Sequence, residues 1–146
     1  MIKRTLSTLL LALAGAGALH AAAPTKLEVG KPFEIILQNA DTMGHNLVIV
    51  KPGTREKVGT ASATMTPDTI DSHGRAFLPK SDDIIAATKL VEPEEKQSLK
   101  LTAPADEGTY EYVCTVPGHY TLLWGQLIVT KDVDAYLAAH PSAEVR

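Results

Sequence analysis

Residues 108–130 leave the chain little choice of local structure. Tyr110, Tyr112 and Cys114 recur at every second position, with Glu111 and Val113 between them, which is the period of a half-buried strand. Pro117-Gly118 then forces a tight turn, and the run Gly125-Gln126-Leu127-Ile128-Val129-Thr130 supplies a partner strand. An isolated hairpin is marginal in water, so its apolar face must be covered by further strands.

The upstream sequence provides them. Phe33, Ile35 and Leu37 alternate with Glu34 and Gln38, and Leu99 and Leu101 alternate with Ser98, Lys100 and Thr102. The turn Asn39-Ala40-Asp41-Thr42 precedes a run in which His45, Leu47 and Ile49 share one parity, so His45 is expected at a strand end over the core. Residues 55–65 read as a short helix or irregular flap, 71–75 as a loop, and 84–91 as strand or helix, because short apolar runs do not distinguish the two. Val133, Tyr136 and Leu137 have helical spacing ahead of Pro141, in a tail over 132–146 that reads as a short helix or a disordered end. Short strands punctuated by turns predict an all-β sandwich or barrel for residues 23–131.

Residues 1–22 read differently. Lys3 and Arg4 precede an apolar stretch and small residues, the pattern of a secretory signal peptide. The stretch is shorter than the roughly 20 apolar residues that span a bilayer. Cleavage would remove His20 and place the remaining chain outside the cytoplasm, most simply in a periplasm. That remainder carries 12 basic and 17 acidic residues, a net charge of −5 with histidines neutral. Such a balance argues against nucleic acid as a partner.

An exported chain with one cysteine has no internal disulfide, so Cys114 is a buried thiol, an intermolecular bridge or a metal ligand. The sequence around it, Cys114-Thr115-Val116-Pro117-Gly118-His119, carries an imidazole on the same turn. Met43-Gly44-His45-Asn46 carries another. One thiolate and two neutral imidazoles form the trigonal donor set suited to one copper ion cycling between Cu(I) and Cu(II). Asn46 can donate and accept at once, and so can hold two loops together. His73 and His140 lie in loop and tail sequence and read as solvated.

These motifs, with Ile85-Ala86-Ala87-Thr88-Lys89-Leu90 and Gly125 opening the last strand, resemble azurin and the wider azurin/plastocyanin family of blue copper proteins, the cupredoxins. The likeness runs from about residue 27 to 130. It implies a Greek-key β-sandwich of about eight strands with one flap and the copper at one end. It also implies a weak carbonyl contact from Gly44, and places Asn46 and Thr115 behind the ligands. By the same resemblance the axial methionine position is Leu123, which has no lone pair and cannot ligate. The paired cysteines of azurin are missing.

The expected function is one-electron transfer at high potential. A docking face of Met43, Val116, Pro117 and Tyr120 around His119 would meet a transient redox partner such as a c-type cytochrome or a copper reductase. Trp124 reads as packing or as a shield for the metal. A periplasmic copper carrier or chaperone would use the same ligands. Catalysis is not expected: Cys114 is flanked by Val113 and Thr115 rather than by ligands to a second copper, and no catalytic triad or carboxylate pair stands out.

Overall fold

The computed structural model describes residues 7–13 and 24–141. In chain order its elements are strand β1 (Ser7–Leu13), β2 (Thr25–Glu28), β3 (Pro32–Asn39), β4 (Val48–Val50), helix α1 (Arg55–Ser62), β5 (Ile84–Ala87), β6 (Lys96–Thr102), β7 (Gly108–Val113), β8 (Trp124–Thr130) and helix α2 (Val133–Ala139). Two sheets form, one ordered β1-β3-β6 and the other β2-β8-β7-β4-β5. Of the sandwich or barrel expected from the alternating segments, the chain forms the two-sheet sandwich that the family resemblance implies.

The alternation does what it predicts in β3, where Phe33, Ile35 and Leu37 are buried and the residues between them are half-buried or exposed. These three meet Leu27, Leu47, Ile49, Tyr110, Tyr112, Leu127 and Val129 between the sheets. Each large apolar side chain buried there contributes about 1.5–3 kcal/mol. β7 and β8 pair antiparallel from Gly108↔Val129 to Val113↔Trp124, giving the terminal hairpin. Cys114 lies one residue beyond β7, where the ladder ends.

The strand β4 departs from simple alternation, since every residue from His45 to Val50 is buried. One parity, Leu47 and Ile49, faces the main core. The other, Val48 and Val50, packs with Val58, Ala87 and Val113. Helix α1 supplies Val58 and so covers the outer face of the five-stranded sheet. The flap is therefore helical, and it gives the sheet a second buried face.

The ambiguous segment 84–91 resolves as a short strand followed by irregular chain, in which Val91 bridges back to His45. Residues 7–13, inside the segment read as an export signal, form β1 parallel to β3. An apolar, Leu-rich run suits either role. The expected cleavage segment and the end of the tail, 142–146, lie outside the described residues. Among the described residues no helix is long and apolar enough to cross a membrane.

Candidate metal centre

The chain reversal after Cys114 is set by Pro117-Gly118. Gly118 has φ of +88°, which a side chain disfavours, and the His119 N–H donates to the Val116 carbonyl at 2.9 Å. This closes a turn of the Pro-Gly type II pattern. The Leu123 N–H then donates to the His119 carbonyl at 2.8 Å, and the Cys114 N–H to the Leu123 carbonyl at 2.9 Å. Backbone bonds thus knit 114, 119 and 123 into one loop.

His45 comes from the other side. Its N–H donates to the Val91 carbonyl at 3.0 Å and its carbonyl accepts from the Val91 N–H at 2.7 Å. The donor atoms of His45, Cys114 and His119 converge, all within 4.8 Å of one another. Cys114 Sγ lies 3.8 Å from His45 Nδ1 and 3.5 Å from His119 Nδ1. Ligands held about 2.0–2.3 Å from one first-row metal ion and splayed in a plane stand roughly 3.5–3.8 Å apart. The spacing therefore fits a shared ion, and all three residues expected as ligands meet at one point.

Electrostatics agree with a soft, dry site. Burial pushes the Cys114 thiol up to about 11, opposed by the backbone N–H groups of Asn46 and Val116. A thiol in such a place stays protonated until a metal displaces its proton. Burial holds His119 below the usual histidine range, with neighbouring His45 acting in the same direction and Asp41 against it. Neutral imidazole is the form that binds metal.

Behind the ligands, the Asn46 side chain spans two loops. Its Oδ1 accepts from the Thr115 N–H at 2.8 Å, and its Nδ2 donates to Thr115 Oγ1 at 2.9 Å and to the Ala76 carbonyl at 3.3 Å. The Thr115 hydroxyl donates on to the Phe77 carbonyl at 2.7 Å. Leu123 is buried in the same cluster as Cys114.

A profile of copper binding proteins of the plastocyanin/azurin family matches residues 13–130. The chain belongs to that family. This cupredoxin is 38% identical over 92 residues to auracyanin-A of Chloroflexus aurantiacus, covering 62% of this chain and 54% of that protein. It is 34% identical over 105 residues to outer membrane protein H.8 of Neisseria gonorrhoeae, covering 66% and 53%. The chain thus spans about half the length of these curated relatives. Among solved structures, dithionite-reduced auracyanin from Roseiflexus castenholzii superposes with a TM-score of 0.72 at 30% identity, over 85% of this chain and 97% of that one. Auracyanin A of Chloroflexus aurantiacus, a "blue" copper protein, gives 0.64 at 32%, over 85% and 100%. The copper ligands of this cupredoxin are arranged as a type 1 site by His45, Cys114 and His119.

The remaining expected site residues are distributed unevenly around the type 1 site of this cupredoxin. Met43 is 53% exposed, and Val116 and Pro117 are half-buried. Tyr120 is half-buried, with its ring so close to Gly59 of α1 that a methyl group there would lie 2.3 Å from it. Trp124 packs in the cluster under α1, and Arg55 stacks 4.2 Å above its ring, on the sheet face opposite Cys114. The sequence reading passed over Leu122, 55% exposed beside the ligand loop, and Asn39, a buried amide. Asn39 Nδ2 donates to the Met43 and Val91 carbonyls at 2.7 and 2.9 Å, bracing the turn before His45. Its signal in sequence is only an Asn at a strand end, which turn chemistry explains equally well.

Proposed function

We propose that the chain is an exported one-electron carrier that exchanges electrons through the His119 edge of its copper site. The observation that carries this is the convergence of one buried thiol and two imidazoles on a point for one ion. Copper bound there supplies a Cu(I)/Cu(II) couple. The protein's part is to keep the donors still in both states. Cys114 and His119 sit on one hydrogen-bonded loop, and His45 is tied to Val91 on the opposite side. Asn46 links the two. Donors held this way have little room to rearrange, and that lowers the barrier to electron exchange.

Leu123 occupies the axial position in this reading and gives no donor, leaving at most a weak contact from the Gly44 carbonyl. Cu(II) gains more than Cu(I) from an extra donor and from polarity, so a hydrocarbon neighbour favours Cu(I) and a high potential. Met43, Val116, Pro117 and Leu122 form an apolar rim suited to brief contact with a c-type cytochrome or copper reductase. Tyr120, on the same loop, packs against Gly59 of α1 and supports that rim from beneath. Export is supported by the leader-like residues 1–22 and by a relative that is an outer membrane protein.

The test is the visible spectrum of the purified chain with one equivalent of Cu(II), followed by mixing with reduced cytochrome c. An intense thiolate-to-copper band that bleaches on mixing is the expected result. A folded, reduced-thiol protein without the band overturns the copper assignment. A band that does not bleach, with copper passing readily to a chelator, favours copper carriage instead.

A further inference from the structure

The imidazole of His45 has two nitrogens, and the ligand set uses only one. Nδ1 faces Cys114 Sγ at 3.8 Å. Nε2, on the far side of the ring, lies 3.0 Å from Asp41 Oδ2. The histidine side chain is 2% exposed and the carboxylate 21%. A carboxylate has no proton to give in this pair, so Nε2 carries the hydrogen and donates it, leaving the Nδ1 lone pair for the metal.

Asp41 is itself held in place. Its other oxygen accepts from the Thr42 N–H at 2.6 Å, and its own N–H donates to Asn39 Oδ1 at 2.9 Å. Asn39 is buried and anchored to the Met43 and Val91 carbonyls. A short polar chain thus runs from Asn39 through Asp41 to the ring of His45.

Resting on the copper-site reading above, we propose that Asp41 is a positioning residue for the copper ligand His45, fixing which ring nitrogen binds and favouring Cu(II) with its negative charge. Two consequences follow from elementary chemistry. A carboxylate on the far nitrogen makes the near nitrogen a stronger donor, and partners of this kind tune both affinity and potential. An anion near the ion also stabilises the more highly charged oxidation state, and at a buried ligand that attraction is weakly screened. Asp41 therefore opposes Leu123: the leucine raises the potential and the aspartate lowers it.

Asp41→Asn and Asp41→Ala separate charge from hydrogen bonding. Asparagine keeps an oxygen to accept from Nε2 but loses the charge, whereas alanine loses both. The measurements are the reduction potential by voltammetry, the Cu(II) dissociation constant, and nitrogen-15 NMR of His45 in the metal-free protein. Both variants should show a potential above that of the parent. Alanine should also lower Cu(II) affinity by about tenfold to a hundredfold and lose the slowly exchanging Nε2–H resonance, which asparagine should retain.

Potentials of both variants equal to the parent's overturn the proposal while leaving the blue band and the copper reading intact. A parent chain that takes up no Cu(II) overturns both. If the alanine variant does not fold, the asparagine variant carries the test through its potential alone.

Discussion

The side chain of Asn46 grips Thr115, 69 residues away in sequence, its amide accepting from the Thr115 backbone N–H and donating to the Thr115 hydroxyl. Asn46 follows His45 and Thr115 follows Cys114, so this clasp joins the two ligand loops one residue behind the donors. Both side chains are buried. Removing the amide strands the Thr115 N–H and the Ala76 carbonyl, and each buried group left unpaired costs about 1–3 kcal/mol. Asn46→Ala should lose about 2–4 kcal/mol in urea unfolding of the metal-free protein. It should also broaden the copper absorption band. A loss below about 0.5 kcal/mol, the scale of an ordinary surface change, would show that the clasp is incidental.

Gly59 sets a second kind of contact with the ligand loop, one of close packing. A methyl group at this position would lie 2.4 Å from Tyr120 Cγ and 2.6 Å from its Cβ, atoms too near the backbone to swing aside. Alanine in a helix interior is normally favoured over glycine by about 0.8–1.0 kcal/mol. Overpacking costs about 1–3 kcal/mol, so the clash should win. Gly59→Ala is expected to destabilise the chain, and to become neutral or stabilising in a Tyr120→Gly background. Thermal melts of the four proteins give the coupling. An alanine variant as stable as the parent would mean that α1 and the loop are not in contact in solution.

What could be read from the sequence follows the distance over which each feature acts. His45, Cys114 and His119 were legible because Gly-His-Asn and Cys-Thr-Val-Pro-Gly-His are local patterns with metal chemistry in them. The strands β3, β6 and β7 were legible because alternation is local too. Asn39 was not, since its role depends on a carbonyl 52 residues away. The two-sided burial of β4 was hidden because α1 presents only Val58 as a large buried apolar side chain, with Gly59 and Ser62 beside it. The packing of Tyr120 on α1 was hidden because nothing near it in sequence announces Gly59. Asp41, four residues before His45, read simply as part of a turn.

Asp71 organises the loop that delivers the Ala76 and Phe77 carbonyls to Asn46 and Thr115. Burial alone would raise its carboxyl. The N–H groups of Arg75 and His73 and the Arg75 guanidinium outweigh this, and hold it below its ordinary value of 3.8. A carboxyl lowered in the folded state stabilises the fold above its unfolded value, and that contribution disappears as pH falls through the folded one. Asp71→Asn should therefore be less stable than the parent at neutral pH. The gap should close as the pH drops below about 3.8. Urea midpoints of the metal-free proteins between about pH 5 and about pH 3 measure it. A gap independent of pH would assign the effect to shape rather than charge.

The rim around His119 should respond to charge more than to size. Val116 is half-buried against the main core, with part of its surface open beside the ligand loop. Val116→Glu places an anion on the face proposed above for partner docking, whereas Val116→Ala removes bulk only. Stopped-flow exchange with cytochrome c should be slowed by at least several-fold in the glutamate variant and altered little in the alanine one. The copper band should be unchanged in both. Equal rates for all three proteins would move the docking face elsewhere.

Leu123 gives the sharpest test of how the site is tuned. Its N–H is bonded to the His119 carbonyl and its carbonyl to the Cys114 N–H, so residue 123 is fixed relative to both ligands by backbone alone. Leucine to methionine nearly conserves volume, and such swaps usually cost less than about 1.5 kcal/mol, so the fold should survive. The change that remains is electronic: a hydrocarbon becomes a thioether, a weak donor of the kind that tunes copper sites axially. Cu(II) benefits from that donor more than Cu(I). Leu123→Met should therefore have the lower reduction potential when both proteins are measured by voltammetry in one buffer. A methionine variant with an equal or higher potential would overturn the proposed axial role of residue 123.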